Sequence, residues 1–171
     1  MKHANTNEPK MFDLVQVFAR PQTKFDFCLE FSPDQAWIGN NPYQFEGDGR
    51  FSGEIWFDEK VLLKGNIIIP TRFVCSRCGA PFSENLFIEV SETLTQEPTN
   101  EHFALTGDKV DLFEIVRQVV ASNIPSQALC SPNCLGVCPK CGINRNEASC
   151  KCDEPKTGNN NPFAGLMGKF N

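Results

Sequence analysis

The chain has 171 residues, of which 40% are hydrophobic, so it can bury one real core, and its formal net charge is −5. No apolar run approaches the roughly 18 residues of a membrane span, and the opening "MKHANTNEPK" is polar, without the apolar region of a signal peptide. Membrane insertion and secretion are therefore not expected, and in a reducing compartment thiols serve as metal ligands or catalysts more often than as disulfides.

Residues 1–11 read as a polar, flexible leader. In "KFDFCLEF" the alternation of Phe25, Phe27, Leu29 and Phe31 predicts a strand, with Cys28 out of phase as a small buried residue. "SPDQAW" predicts a short helix capped by Ser32 with Pro33 in its first turn, and a turn-rich stretch follows through Pro42 and Gly49. The next segment predicts a hairpin. Phe51, Gly53, Ile55 and Phe57 share one face of its first strand, Asp58–Lys60 make the turn, and Leu63, Gly65, Ile67 and Ile69 share one face of the return. A third strand, "PFSENLFIEVSETL", alternates through Phe82, Leu86, Ile88 and Val90, after a corner at Cys75-Ser-Arg-Cys78-Gly.

Residues 95–110 read as an exposed acidic loop. A helix follows, with Asp111 as N-cap, Glu114 completing a capping box, and Leu112, Ile115, Val116, Val119 and Val120 on one face. Pro125 limits it. From Asp153 a flexible linker leads to the apolar tail "FAGLMGKF". The expected architecture is α+β: an antiparallel sheet packed against one or more helices in a single domain over 12–152, with a leader at 1–11 and a tail at 153–171.

Eight of the nine cysteines cluster as Cys75-x2-Cys78 and Cys130-x3-Cys134-x3-Cys138-x2-Cys141-x8-Cys150-x-Cys152. Pro132, Gly136 and Pro139 place the second run on turns rather than on a helix. The Cys-x2-Cys-Gly form, present as "CSRCG" and "CPKCG", is a knuckle that aims two sulfurs at one point, with glycine relieving crowding behind them. Eight thiolates equal two tetrahedral four-sulfur sites, and zinc suits that donor set. An iron–sulfur cluster uses the same donors, and disulfides or bare thiols are the bland alternative. Two groupings satisfy the spacing. Cys138, Cys141, Cys150 and Cys152 can close locally, leaving Cys75, Cys78, Cys130 and Cys134 to staple the strands to the chain beyond the helix. The crossed alternative joins Cys75 and Cys78 to Cys138 and Cys141. The first needs less loop closure.

A closed four-thiolate site has no open position for water, so scaffolding is the expected role. His3 and His102 stand in polar surroundings that suit solvated side chains, and neither a phosphate-binding loop nor a Gly-x-Ser-x-Gly elbow occurs. An enzyme is not expected, nor a small-molecule substrate. Charge is polarised: residues 60–82 carry four bases and no acid, whereas residues 84–114 carry eight acids against Lys109. Lys64, Arg72, Arg77, Lys140, Arg145 and Lys151 form the one extended basic surface that the metal-held arms could offer to nucleic acid or a partner. Each zinc with four thiolates contributes −2, so two such sites move the formal charge from −5 to −9. That opposes non-specific binding to nucleic acid.

Taken together, "VCSRCGAPF", the acidic stretch, "VDLFEIVRQVV", "IPSQALC", the run from Cys134 through "GINRN" and the terminal "NPFAGL" resemble the YceD family of large ribosomal RNA accumulation proteins, from about Phe51 to the end. The family's cysteine motif falls on the eight clustered cysteines, and Arg145 stands where the pattern more often has an apolar residue. The resemblance implies a protein of the bacterial cytoplasm or plastid stroma that supports accumulation of 23S ribosomal RNA. Its partners would be that RNA or precursor ribosomal particles, reached directly or through a ribosomal or processing protein. A metal-dependent hydrolase or nuclease acting on precursor RNA is the alternative, and it would need an open metal position.

Overall fold

The computed structural model describes residues 9–96 and 103–152. In chain order the elements are β1 (Met11–Asp13), α1 (Val15–Ala19), β2 (Phe25–Phe31), a 3-10 turn (Gln35–Ile38), β3 (Gln44–Phe45), β4 (Gly49–Asp58), β5 (Lys60–Val74), β6 (Pro81–Thr95), β7 (Phe103–Ala104), β8 (Lys109–Asp111) and α2 (Leu112–Asn123). The main sheet runs β2-β4-β5-β6-β7, with β3 also on β5, and β1 pairs with β8 in a separate ribbon. All these pairings are antiparallel except β6 with β7. The fold is α+β, as the alternating patterns imply.

Period-two alternation makes the sheet one-sided. Phe51, Ile55, Leu63, Ile67, Ile69, Leu86, Ile88 and Val90 are buried on its inner face, while Arg50, Lys64, Ile68, Phe87 and Glu89 are exposed on the other. On the inner side, Leu112, Phe113, Ile115, Val116, Val119 and Val120 of α2 join the core. Trp37 meets both Phe113 and Phe31, with ring centroids 5.5 and 6.1 Å apart. Gly53 and Gly65 face each other across β4 and β5. A Cβ on Gly65 would stand 2.5 Å from the Ser52 carbonyl oxygen, so this close crossing of backbones excludes any side chain.

Several local expectations change. Cys28 is exposed, because Phe27 and Leu29 take the inward positions on either side of it. The turn ending at Ile38 is 3-10, and its cap is Asp34, whose carboxylate accepts from the Ala36 amide at 2.9 Å, rather than Ser32. The β4–β5 hairpin turns at Glu59 alone, at φ +58°. Asp111 does cap α2, accepting from Phe113 and Glu114 amides at 3.0 and 3.4 Å, and its Oδ1 also accepts from Lys10 N at 3.0 Å. Glu114 does not close the capping box. Its carboxylate pairs with Arg117 at 2.6 Å and with the Gln118 amide, and Arg117 holds it below the usual carboxylate range. α2 ends at Asn123 with Ile124 extended, the conformation favoured before proline.

The stretch expected to be an acidic loop carries β7 and β8, with residues 97–102 outside the described part. The leader at residues 1–8 and the tail from residue 153 also lie outside it, whereas Met11 already belongs to β1. No helix among the described residues is long and apolar enough to cross a membrane.

Candidate metal centre

The long β5–β6 hairpin carries Cys75 and Cys78 at its tip, and the chain leaving α2 returns to that tip. The Ser76 amide and hydroxyl both donate to the Ala128 carbonyl at 2.9 Å, which pins residue 128 alongside Cys75. Arg77 then clamps the following turn: its Nη1 donates to the Cys134 carbonyl at 3.1 Å, and its own carbonyl accepts from the Val137 amide at 3.2 Å. Gly136 lies at φ +70°, and a Cβ there would meet the Arg77 carbonyl oxygen at 3.0 Å. Glycine is required there twice over, by dihedral and by space.

The two Cys-x2-Cys-Gly segments are built alike. The Cys75 amide donates to the Ala80 carbonyl at 2.9 Å, and the Gly79 amide returns to the Cys75 carbonyl at 2.8 Å. In the second, the Cys138 amide donates to the Ile143 carbonyl and the Gly142 amide to the Cys138 carbonyl, both at 2.8 Å. Gly79 and Gly142 adopt φ of +72° and +73°, yet the space where a Cβ would sit is empty. These glycines serve the left-handed dihedral and not the relief of crowding.

The result is two groups of four sulfurs: Cys75, Cys78, Cys130 and Cys134 in the first, and Cys138, Cys141, Cys150 and Cys152 in the second. Within each group every sulfur lies within 4.8 Å of the others. This is the locally closing arrangement; the crossed one is not formed. Cys75 to Cys134 and Cys78 to Cys130 are 3.7 Å between Sγ atoms. Zinc–sulfur bonds of about 2.3 Å place tetrahedral sulfurs about 3.8 Å apart, so the spacing fits that ion. All nine cysteines are free thiols.

Electrostatics within each group point the same way. The Cys75 thiol is drawn down to about 6, chiefly by the backbone amide of Cys130, with those of Cys78 and Arg77 adding to it. Cys138 is likewise drawn down to about 6 by the amides of Cys141 and Lys140. Cys130 is pushed up to about 12, first because its thiol donates to Cys75 and then by burial. Cys152 is pushed up to about 12 by its bond to Cys141, by burial and by the charge of its neighbours. Each group thus holds an anionic sulfur ready but resists becoming fully anionic, a conflict that a divalent cation removes.

The spacing of cysteines carries no sign of Asn146. Its Nδ2 donates to Cys134 Sγ at 3.3 Å and its Oδ1 accepts from the Leu135 amide at 2.8 Å. Burial opposes ionisation of Cys134, but Asn146 and the Gly136 amide outweigh it and leave that thiol lowered. The Asn146 amide itself donates to Asn144 Oδ1 at 3.1 Å, an Asx turn whose Asn-x-Asn signature is visible in "GINRN". A residue of the second loop therefore steadies a sulfur of the first group.

The six basic residues are all exposed but do not form one patch. Arg77, Lys140, Arg145 and Lys151 belong to the cysteine-bearing loops, and Arg72 lies three positions before Cys75. Lys64 sits mid-strand opposite Glu54 and Ser91, about 26 Å along β5 from Arg72. Arg77 is moreover engaged in holding the loop. Beside these bases the same loops expose Leu135, Val137 and Ile143.

A family model described as large ribosomal RNA subunit accumulation protein YceD matches residues 63–168. An uncharacterized protein of Mycobacterium tuberculosis is 29% identical over 93 residues, covering 50% of this chain and 45% of its own length. The chloroplastic large ribosomal RNA subunit accumulation protein YCED homolog 1 of Arabidopsis thaliana is 26% identical over 128 residues, covering 55% of this chain and 40% of the relative. The protein of that name from Zea mays is 24% identical over 129 residues, covering 54% and 44%. The chain thus spans less than half the length of these curated relatives. No solved structure matches it. The match to the family model takes in both cysteine groups and the strands and helix that carry them, and the chain belongs to the YceD family of large ribosomal RNA subunit accumulation proteins.

Proposed function

We propose that the protein is a non-enzymatic ribosome-biogenesis factor that supports accumulation of 23S ribosomal RNA, in the bacterial cytoplasm or plastid stroma, as a zinc-stapled adaptor. The observation that carries this reading is the pair of four-sulfur groups at one end of the sheet, in a chain of this family. One zinc would be held by Cys75, Cys78, Cys130 and Cys134, and a second by Cys138, Cys141, Cys150 and Cys152. When bound, each ion supplies a cross-link and no reactive position, since four sulfurs complete its tetrahedron. The residues of the loops then do the work of recognition. Arg145 and Lys151 with Lys140 face solvent around the second group, with Arg72 beyond the first. Leu135, Val137 and Ile143 add apolar surface that phosphate alone does not need, which suits a folded RNA or an RNA-bound protein.

The test is replacement of Arg145 and Lys151 by glutamate, leaving the structurally engaged Arg77 in place. Zinc content should stay at two ions per chain while association with large-subunit precursor particles weakens. For every phosphate interaction removed, the salt slope of binding should fall by about one unit. Unchanged co-sedimentation with precursor particles and normal 23S levels would remove these loops as the docking surface. A single bound ion, or turnover of precursor RNA by the purified protein, would return the hydrolase reading.

A further inference from the structure

The longest open strand edge of the described residues lies on the sheet, away from the cysteines. Among the described residues, β6 has β5 on one side and, on the other, only the two-residue β7 beside Leu94 and Thr95. Hydrogen bonds at the two ends of β6 set which groups face the opening. The Cys75 amide donates to the Ala80 carbonyl, and the Leu105 amide to the Thr95 carbonyl. Because an antiparallel ladder alternates sides, even-numbered residues of β6 bond to β5. Ser83, Asn85, Phe87, Glu89, Ser91 and Thr93 therefore turn their N–H and C=O groups outward. Pro81, also odd-numbered, has its missing N–H on that side. From Ser83 to Thr93 the open edge runs about 33 Å.

Such an edge pairs with other strands unless it is blunted. This one has no bulge in its register with β5, and its charge is of one sign: Glu84, Glu89 and Glu92, with no lysine or arginine from Pro81 to Thr95. Apolar surface accompanies it. Phe87 is 55% exposed and lies opposite Ile68, itself 37% exposed, on the outer face. A second copy of the chain would bring like charges together along the edge, which opposes self-pairing.

We propose that the open edge of β6 accepts, as an added strand, an extended segment of a protein partner that alternates basic and apolar residues. Main-chain pairing supplies the attachment and side chains the selectivity. On the outer face a lysine or arginine of the segment meets Glu89, and the alternate apolar residues continue the row of Leu86, Ile88 and Val90 on the inner face. The inference rests on the sheet alone, so its failure leaves the reading of the cysteine loops standing.

The probe is a fluorescent eleven-residue peptide of alternating lysine and valine, compared with the same peptide N-methylated at every second amide on the pairing side. Fluorescence anisotropy with the full chain should show binding at least tenfold weaker for the N-methylated peptide. Asn85→Pro with Ser91→Pro removes two outward donors and leaves the β5 ladder intact. Binding should fall at least tenfold, with zinc content and melting temperature near those of the parent. Glu84→Lys with Glu89→Lys keeps the edge and should shift preference to an alternating glutamate–valine peptide. Hydrogen exchange at Ser83–Thr93 odd-numbered amides should slow at least tenfold with peptide bound. Equal binding of both peptides, or full binding by the proline variant, overturns the proposal in favour of diffuse charge attraction. A dimer of the parent chain that the proline variant abolishes overturns it in favour of a second copy.

Discussion

The sheet body and the cysteine loops solve the same problem by different physics. Among the described residues, every buried residue of the apolar core cluster lies from Leu14 to Val120. From Ser126 to Cys152, by contrast, Cys134, Gly136 and Cys138 are the only buried residues. The body excludes water with side chains from strands and helix, whereas the loops converge on sulfur and expose Leu135 at 60%. A segment that buries so little cannot offset the entropy of ordering its own backbone, about 1–2 kcal/mol per residue. On the proposed reading the loops would be ordered by the ions their thiols hold, whereas the body is ordered by its own core.

The sharpest way to break that contrast is to take the metal away. Structural zinc contributes about 10–16 kcal/mol in finger peptides. Chelation should therefore erase hydrogen-exchange protection over residues 128–152, and Cys134→Ser that over residues 128–137, while the amides of β4 and the middle of β5 remain protected. Loss of protection across the whole sheet would show that the body depends on the staple.

The converse experiment is Ile67→Ala. Ile67 is fully buried at the centre of β5, so the variant should lose about 2–5 kcal/mol in denaturant unfolding. Two ions per chain should remain below the transition. A smaller expected effect sharpens the boundary between the loops themselves. Asn146→Ala removes a bond to Cys134 Sγ, and such outer-shell partners are worth about 10–100-fold in metal affinity. Competition with a chromophoric chelator should show one ion weakened by that factor and the other unmoved. Equal weakening of both would make the two centres a single unit.

Much of the body was legible because its periods are clean. Ile55, Leu63, Ile67 and Val90 repeat at two, and Asp111 marks the start of α2 by the chemistry of a cap. β1 and β8 were not legible. Each has three residues, and they pair across nearly a hundred intervening positions, Phe12 with Val110. No local pattern in either announces the other. Cys28 was misplaced for a simpler reason: its chemistry suggested burial, but strand phase decides which side a residue faces.

At the site, the cysteine spacing announced eight thiols and left two groupings open, which the positions of Ala128 and Arg77 resolve in space. Charge was the less faithful guide. Lys64 and Arg77 count together in sequence, yet extended backbone advances about 3.3 Å per residue and carries Lys64 far from the loops. Arg77 meanwhile has a carbonyl to hold. Asn146 escaped because a hydrogen bond to sulfur has no spacing rule.

The sequence separations within the two groups also set an order of events during synthesis. Cys78 and Cys130 are 52 residues apart, an interval of about 3–10 s at about 5–20 residues per second. Throughout that interval the nascent hairpin presents Cys75 and Cys78 as half a site, able to hold an ion only loosely or to be oxidised. Cys138 to Cys152 emerge within about 3 s at most. The upstream pair therefore waits, exposed, for the far end of its own chain, and with zinc bound as proposed the newly made protein would be most vulnerable to metal shortage and oxidants before Cys134 has appeared.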